Sequence, residues 1–347
     1  MPRNNTPVKI KPALGAIDLH FHGAFGIDLM HADFESLSRL SRKLYTSGVS
    51  AFCPTTLSAP PEDLKAAVTR LGDWIHQTHL YQNTAVPLGI HLEGPFLNPA
   101  ASGAHPGSCV RPFSFQELDT LWNASQNTLK ILTMAPELLK PRDLRTLGRW
   151  AKDRELVLSI GHTRATQAQA ENAIAAGFRN VTHAWNAMAF HQREPGVLGT
   201  LGSLNSPFVE VIADQVHVHP SLVRWLFKLA PTRVCCISDC APSAAMPFNK
   251  ITSFGPLQVK RVAGPIKSLT SSVTANGLLA GGGNLLPTQY RNWCKHQKAT
   301  TAEKAAWIQA CTLTPLQSLF GEKGAKAWET KLKKAGHLFD WQARSSK

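Results

Sequence analysis

The sequence has no long hydrophobic run and no export signal. No apolar stretch approaches the roughly 20 residues that a membrane-spanning helix needs, so a membrane partner is not expected. The amino terminus, Met-Pro-Arg-Asn-Asn-Thr-Pro, also lacks the apolar core of a secretory signal. We therefore expect a cytoplasmic protein.

Paired cysteines are missing as well. The chain has seven cysteines, an odd number, and no Cys-x-x-Cys motif. Cys235, Cys236 and Cys240 crowd one predicted strand end, where neighbouring side chains point to opposite faces. This spacing favours reduced, partly buried thiols over a disulfide framework. A zinc-thiolate site is the weaker alternative.

Acidic residues are few. The chain has 23 Asp and Glu against 37 Lys and Arg, a net charge of +14. Such an excess accompanies nucleic-acid binding, capture of an anionic substrate, or simple solubility. The basic residues are spread along the chain, with a patch only at Lys331, Lys333 and Lys334. Diffuse charge favours solubility and capture of a phosphorylated small molecule, and no nucleic-acid partner is expected. A non-enzymatic basic protein that binds nucleic acid or an acidic partner is the rival hypothesis.

Short apolar runs alternate with helix-like segments over most of the 347 residues. This rhythm is typical of parallel α/β folds, and eight such runs predict an α/β (β/α)₈ TIM-like barrel. We expect a leader at 1–14, the barrel at 15–320 with a hairpin insertion around 255–280, and a basic tail at 321–347 with at most one strand. Helices are predicted at 34–47, 61–79, 166–176, 286–297 and 302–320, among others. The predicted strands begin near residues 16, 49, 86, 129, 156, 180, 208 and 233.

Polar residues that can bind metals follow the predicted strands where each strand ends. A barrel enzyme places its chemistry at that end of the sheet. His20 and His22 are two apart on one strand and face the same way, while His162 and His183 end neighbouring strands and can share one ion. A surface histidine pair or a loop carboxylate explains any one position, but the shared placement favours a metal site. The set is His20, His22, Glu93, His162, His183, His217 and Asp239.

Histidines and a carboxylate that leave a coordination position open are typical of catalytic zinc, although iron and cobalt also accept these ligands. The stretch Ala280-Gly-Gly-Gly-Asn284 follows the hairpin. Because no nucleotide-binding motif precedes it, we interpret the glycines as a close approach of the backbone to the site.

Several motifs occur in an order that resembles the N-acetylglucosamine-6-phosphate deacetylase family of the amidohydrolase superfamily, over about residues 14–290. They are Ile17-Asp-Leu-His-Phe-His-Gly, His91-Leu-Glu-Gly-Pro-Phe-Leu-Asn-Pro, Gly103-Ala-His105, Gly161-His162-Thr, Thr182-His-Ala-Trp-Asn-Ala-Met, Arg193-Glu-Pro-Gly, Ile212-Ala-Asp-Gln-Val-His-Val-His-Pro and Ser238-Asp239.

The resemblance implies a metal bound by Glu93, His162 and His183. It also implies that His20 and His22 hold a second ion, with Glu93 bridging, as in some family members, whereas others use one metal. Asp239 matches the catalytic aspartate and His105 the residue that polarises the amide carbonyl. Arg193 and His217 match groups near the sugar phosphate, and Asn186 and Ala187 match a stretch that approaches the ligand. The phosphate-binding arginine can come from a neighbouring subunit in the family, so a homodimer is implied.

The expected reaction is therefore hydrolysis of N-acetylglucosamine 6-phosphate to glucosamine 6-phosphate and acetate. The alternative is deacetylation of another, even unphosphorylated, N-acyl amino sugar. Three departures from the family pattern stand near the chemistry: Gln215 replaces a glycine, Cys240 a common alanine, and Gly282-Gly283 a Ser-rich turn. The family's small β-sandwich domain is expected to be missing or vestigial.

Overall fold

The computed structural model describes residues 13–77, 82–202 and 206–341. The strands, in chain order, are β1 (Ala13–Leu14), β2 (Ala16–Phe21), β3 (Gly23–Ala24), β4 (Ile27–Asp28), β5 (Val49–Pro54), β6 (Val86–Pro87), β7 (Ile90–Glu93), β8 (Leu129–Met134), β9 (Val157–Ile160), β10 (Phe178–Val181), β11 (Phe208–Ile212), β12 (Val234–Ile237), β13 (Ile251–Phe254), β14 (Leu257–Ala263), β15 (Thr270–Thr274), β16 (Leu279–Gly282) and β17 (Leu338–Phe339).

The helices alternate with the parallel strands through the first two thirds of the chain. They are α1 (Phe34–Thr46), α2 (Pro61–Gln77), α3 (Phe115–Ala124), α4 (Pro141–Asp153), α5 (Gln167–Ala175), α6 (Pro220–Leu229), α7 (Leu286–His296), α8 (Thr301–Cys311) and α9 (Leu313–Lys334). Among the described helices, none combines the length and apolarity that crossing a membrane requires.

Local sequence explains where these helices begin and which face they bury. In α1 the Asp33 side chain accepts a hydrogen bond from the Ser36 N–H, and the buried face carries Leu37, Leu40 and Leu44 at helical spacing. In α5 Thr166 and Gln169 form a reciprocal capping box. The helices thus start at polar caps and present apolar stripes to the strands.

Two parallel sheets form the centre of the fold. One has the order β2-β5-β6, and the other has the order β12-β11-β10-β9-β8-β7. Isolated parallel bridges connect them, Thr55 with His91 at one seam and Phe21 with Cys240 at the other. The result is a curled parallel sheet whose strands all end at the same rim.

The buried apolar residues form two clusters. The larger lies between the strands and the surrounding helices. The smaller combines Ile17, Ile131 and Val157, near the beginnings of their strands, with Leu316 and Leu332 of α9. Helix α9 therefore packs at the amino ends of the strands, which leaves the carboxyl ends available for polar side chains.

Three sequence predictions need correction. The predicted third strand is divided between the sheets, because Leu88 N–H still bonds Phe52 O of β5 whereas Ile90 N–H bonds Thr128 O before β8. Pro87 lacks a donor and Gly89 has a φ of +129°, so the strand breaks between them.

The helix predicted at 302–320 is two helices, α8 and α9, separated at Thr312, whose backbone is not helical. The basic tail, for which the sequence predicts at most one strand and no helix, is helical to Lys334, although Gly321 interrupts α9 with a φ of 67°. The predicted end of α2 at residue 79 and most of the predicted leader lie outside the described residues.

The predicted hairpin insertion is a four-stranded antiparallel sheet, β13-β14-β15-β16. It spans residues 251–282 and reaches the rim, where the Phe254 ring lies 5.1 Å from the His22 ring, centroid to centroid. The strand predicted near the carboxyl terminus is β17, and it pairs antiparallel with β1.

Candidate metal centre

The side chains that the sequence singled out meet at the rim of the curled sheet. Glu93 is the last residue of β7, His20 lies near the end of β2, and His162 and His183 follow β9 and β10 by two residues. Asp239 follows β12 in the same way. Each of these residues other than Asp239, and His22 as well, is at most 5% exposed. His22 completes the set. His20 and Asp239, which are 219 positions apart in the sequence, are in direct contact at 3.4 Å.

Glu93, His162 and His183 form the first half-site. Glu93 Oε1 lies 3.1 Å from Nε2 of each histidine, and the two Nε2 atoms lie 3.1 Å from one another. The His162 Nδ1–H donates to the Ala101 carbonyl oxygen at 2.9 Å, so the neutral ring presents a lone pair at Nε2.

The buried His183 Nδ1 has no partner among the described residues, so His183 Nε2 either donates a hydrogen bond to Glu93 Oε1 or, with a cation between them, serves with the other two atoms as a ligand. Donor atoms around a tetrahedral zinc at about 2.05 Å stand about 3.3 Å apart, close to the observed 3.1 Å separations. The donor set of the first half-site therefore fits a metal ion.

His20, His22 and Asp239, again with Glu93, form the second half-site. His20 Nε2 lies 3.1 Å from His22 Nε2, 3.2 Å from Glu93 Oε1 and 3.4 Å from Asp239 Oδ1. Behind the ring, His20 Nδ1 donates to the Glu210 carboxylate at 3.3 Å. Nitrogens and carboxylate oxygens again converge on one point, which is where a positive charge is stabilised.

Charge and burial act against each other in the second half-site. Burial lowers the pKa of His20, but the carboxylates of Glu93 and Asp239 outweigh it and hold that pKa well above its usual range. The pKa of His22 is also raised, since its hydrogen bonds to Asp239 and Glu93 exceed the effect of burial. Burial raises the pKa of Asp239, yet His20 and His22 bring it down to about 2. Asp239 is therefore a carboxylate at neutral pH.

His105 stands beside the first half-site with its Nε2 3.1 Å from Glu93 Oε2. Its Nδ1 accepts a hydrogen bond from the Ser58 backbone N–H at 3.1 Å, which leaves the proton on Nε2. Burial lowers the pKa of His105 to about 4, more than the Glu93 carboxylate raises it. At neutral pH the ring is thus an uncharged donor directed toward the centre.

A cavity of about 170 Å³ opens onto these groups. His217 lines it, and the His217 Nδ1–H donates to Asp214 at 2.8 Å, while its buried Nε2 has no partner among the described residues. The hairpin insertion contributes Phe254, Leu279, Ala280 and Gly281 to the wall. The remaining lining residues are His22, Leu57, Glu93, Gly103, Ala104, His105, His162, His183, Asn186, Ala187, Ile212 and Asp239.

The predicted close approach of the glycines is confirmed. A Cβ at Gly281 would lie 2.5 Å from the Asp239 carbonyl oxygen, and one at Gly282 would lie 2.2 Å from the Ser238 carbonyl oxygen. Both contacts are impossible for a side chain, so glycine is required where β16 passes the turn that carries Asp239.

Left-handed backbone conformations cluster at the rim. His162, His183, Ala187 and Asp239 have φ between 31° and 49°, a region that costs about 1 kcal/mol or more for residues other than glycine. Gln215 has φ of 68°, a conformation for which the glycine of the family pattern is the natural residue. Its Oε1 accepts a hydrogen bond from Gln297, and Gln215 does not line the cavity.

The structure does not bring Arg193 to the cavity. Arg193 is exposed on the segment after Met188, and it is not one of the residues around the cavity. The sequence reasoning missed Ser58, Glu210 and Phe254, which contact His105, His20 and His22. Glu210 alone left a signal, a carboxylate inside the apolar strand Phe208–Ile212.

The curled parallel sheet and the histidine-carboxylate centre at its rim define an enzyme of the amidohydrolase class. Known relatives define the family within this class. N-acetylglucosamine-6-phosphate deacetylase of Vibrio furnissii is 33% identical over 315 residues, which are 90% of this chain and 74% of the relative. The chain belongs to the N-acetylglucosamine-6-phosphate deacetylase family.

No protein-family model matches the chain. Two further similar proteins are a sequence relative and a solved structure. N-acetylgalactosamine-6-phosphate deacetylase of Escherichia coli O157:H7 is 33% identical over 304 residues, 87% of this chain and 76% of the relative. The solved structure of Mycobacterium smegmatis N-acetyl-D-glucosamine-6-phosphate deacetylase, a mutant in complex with N-acetyl-D-glucosamine-6-phosphate, has a TM-score of 0.79 and 26% identity and covers 89% of this chain and 77% of that chain.

Proposed function

We propose that this enzyme hydrolyses the acetamide of N-acetylglucosamine 6-phosphate to glucosamine 6-phosphate and acetate. The observation that carries the proposal is the convergence of Glu93, His162 and His183, whose ligand atoms lie 3.1 Å from one another, with the Asp239 carboxylate and the cavity beside them. Relatives named for this deacetylation support the choice of substrate.

The architecture we propose is a complete (β/α)₈ barrel over residues 15–320, with the hairpin insertion on its rim. The two single-residue bridges between the sheets support closure at both seams, and counting β6 with β7 as one interrupted strand gives the expected eight. The β1–β17 ribbon is the part of the described chain that would represent a vestigial β-sandwich.

A divalent ion, zinc in our proposal, would be held by Glu93, His162 and His183, and a second ion by His20 and His22 with Glu93 bridging. Such an ion makes water a better nucleophile at neutral pH and polarises the amide carbonyl. Iron and cobalt suit the same donors. The ring nitrogens and carboxylate oxygens that converge in both half-sites support this assignment.

Asp239 would accept a proton from the attacking water and deliver it to the amide nitrogen as the carbon–nitrogen bond breaks. Burial raises the pKa of Asp239, but His20 and His22 lower it further, so the group is ionised at neutral pH and available as a proton acceptor. His105, neutral and with its proton on Nε2, would donate a hydrogen bond to the carbonyl oxygen as negative charge develops there.

The sugar would lie between the Asn186-Ala187 segment and the hairpin insertion. His217 offers its unpartnered Nε2 from the cavity wall. Asp214 raises the pKa of His217 against the effect of burial, which suits an imidazole near an anionic phosphate.

Arg193 would reach the phosphate of a neighbouring subunit in a homodimer, since within its own chain it is exposed and away from the cavity. Exposed apolar side chains near this segment, Phe190, Leu222 and Trp225, support such an interface. The cysteines of the described chain are all unpaired, which supports a reducing compartment and hence the cytoplasm.

Two measurements test the reaction and its mechanism. Acetate release should require the 6-phosphate, with kcat/KM for N-acetylglucosamine at least about a hundredfold lower. Asp239→Asn should lower kcat about 10²–10⁴-fold while the ion of the first half-site is retained. Full activity of Asp239→Asn, or equal turnover of both sugars, contradicts the proposal.

The galacto epimer is the second candidate substrate, because a relative named N-acetylgalactosamine-6-phosphate deacetylase matches as well as the gluco enzymes. Parallel kcat/KM values for the two 6-phosphates decide between them. A higher value for the galacto epimer would replace the substrate and leave the reaction as proposed.

A further inference from the structure

A second and much larger cavity lies at the opposite end of the strands from the metal centre. Its volume is about 880 Å³, against about 170 Å³ for the cavity at the rim. Lys130 is the second residue of β8 and Arg179 the second residue of β10, and both line it. It is therefore a groove at the amino ends of β8–β10, closed on one side by α9.

Cations dominate this groove, which we call the basic groove. Lys130, Arg145, Arg149, Lys152 and Arg179 line it, and Glu155 is its single acidic residue. Three of the cations, Arg145, Arg149 and Lys152, recur at helical spacing on one face of α4. They span about 10 Å along the helix axis.

These charges are poorly compensated by the protein. Lys130 is 13% exposed in its side chain, and its ion pair with Glu155 is 3.9 Å long with the carboxylate 89% exposed. Among the residues that the structure describes, none of the four other cations of the groove forms an ion pair with a carboxylate. Burial also lowers the pKa of Lys130 and of Arg179. An anion entering the groove would supply the missing charge.

The groove also has an aromatic wall. The rings of Phe320 and Trp328 are stacked with centroids 5.4 Å apart and 28° between their planes, and Lys130 Nζ lies 4.8 Å from the centre of the Phe320 ring. Gly148, Ala151 and Gly177 also line the groove, where α4 packs closely on the residues that follow α5. Lys331 Nζ likewise lies 4.7 Å from the centre of the Trp328 ring. A flat, partly apolar group therefore has a ring face to lie against once it displaces one of these two ammonium groups.

Size, charge spacing and the aromatic wall together define the ligand class. A volume of about 880 Å³ suits a ligand larger than a sugar monophosphate. One phosphate group reaches only part of a 10 Å row of cations, whereas a chain of phosphates can follow it. We propose that the basic groove binds a nucleoside di- or triphosphate, with its phosphates along α4 and its base at the Phe320–Trp328 wall.

The test uses ATP as the probe and isothermal titration calorimetry at about 0.15 M salt. Wild-type protein should bind ATP with a Kd below about 1 mM. Arg145→Ala/Arg149→Ala, which changes two exposed side chains, should raise Kd at least about tenfold. Arg142→Ala is the matched control, because Arg142 is exposed on the same helix but does not line the groove. It should change Kd less than about twofold.

Further arms separate the groove from other anion sites. Glu93→Gln should bind ATP as wild type does, so a loss of the proposed deacetylation and a loss of nucleotide binding are distinguishable. Inorganic pyrophosphate should bind at least about tenfold more weakly than ATP, because it cannot use the aromatic wall.

Each opposite result overturns the proposal. If wild-type protein does not bind ATP, the proposed site does not exist. If Arg142→Ala weakens ATP binding as much as Arg145→Ala/Arg149→Ala does, the binding reflects diffuse surface charge. Equal affinity for pyrophosphate and ATP removes the nucleoside. A single-stranded oligonucleotide that binds more tightly than ATP would replace the small molecule with a nucleic acid.

Discussion

The two half-sites of the metal centre share Glu93 but differ in what supports their imidazoles. Behind the first, His162 Nδ1 donates to a neutral acceptor, the Ala101 carbonyl oxygen. Behind the second, His20 Nδ1 donates to the Glu210 carboxylate, and Asp239 faces the same ring from the front. A carboxylate behind an imidazole raises its basicity more than a carbonyl oxygen does.

The second half-site therefore competes more strongly for protons. Carboxylates hold the pKa of His20 well above its usual range despite the burial that lowers it. A metal that binds there must displace those protons, so its affinity should fall steeply as the pH falls. If Glu93 bridges two ions as we propose, their retention should therefore respond differently to pH.

The most damaging change to both half-sites is Glu93→Gln. An amide removes the shared negative charge and one coordinating oxygen, so both ions should be lost and kcat/KM should fall about a thousandfold or more. Metal analysis of the purified protein, together with acetate release, measures both effects. Glu171→Gln, on the exposed face of α5, is the control and should behave as wild type. Retention of both ions by Glu93→Gln would contradict the shared role.

Separate substitutions sharpen the comparison. His162→Asn should remove the ion of the first half-site and lower kcat about 10²–10³-fold, whereas His20→Asn should remove at most one ion and lower kcat about tenfold. The expectation rests on the first half-site being sufficient for the reaction. Metal-to-protein ratios and kcat decide it, and equal losses in the two variants would show that the half-sites act as a unit.

The rim of this fold could be predicted from the sequence because it follows a rule of position. Glu93, His162, His183 and Asp239 each end an apolar run, and parallel strands bring such ends together. The glycines of β16 were predictable for a similar reason, since repeated glycine after a hairpin indicates close backbone approach. The alternation of strands and helices likewise predicted the parallel sheet.

Other features had no local signal. The contact of Ser58 with His105 joins residues 47 positions apart, and a single serine after a strand predicts nothing. The break between β6 and β7 depends on which neighbour each residue bonds, although Pro87 and Gly89 indicate it in retrospect. Asp18 and Glu210 each stand inside an apolar strand, a pattern that signals buried charge without naming its partner.

The smallest expected effect concerns Asp18, which lies beneath the second half-site only. Its carboxylate accepts hydrogen bonds from the backbone N–H groups of Ser238 at 3.0 Å and His20 at 3.4 Å. Burial nevertheless raises the pKa of Asp18 from 3.8 to about 7, since these bonds offset only part of the desolvation.

The folded protein thus keeps the Asp18 proton to a higher pH than the unfolded chain does. Between about pH 4 and pH 7 the folded state binds more protons at this residue, so its contribution to the free energy of unfolding falls as the pH rises. The total is roughly 4–5 kcal/mol, because the pKa changes from 3.8 to about 7 and each unit is worth about 1.4 kcal/mol. Asp18→Asn cannot ionise and should remove this slope, at a cost of about 1–3 kcal/mol for an amide N–H left without a partner.

Urea unfolding of chelator-treated protein at pH 5 and pH 7.5 measures the effect. As the pH rises, the free energy of unfolding of wild type should fall relative to that of Asp18→Asn. Asp63→Asn is the control, because Asp63 is exposed on α2, and its pH profile should run parallel to that of wild type. Parallel profiles for Asp18→Asn would mean that Asp18 is ionised in the folded state. Asp18 would then add a negative charge under His20, and the contrast between the half-sites would be sharper.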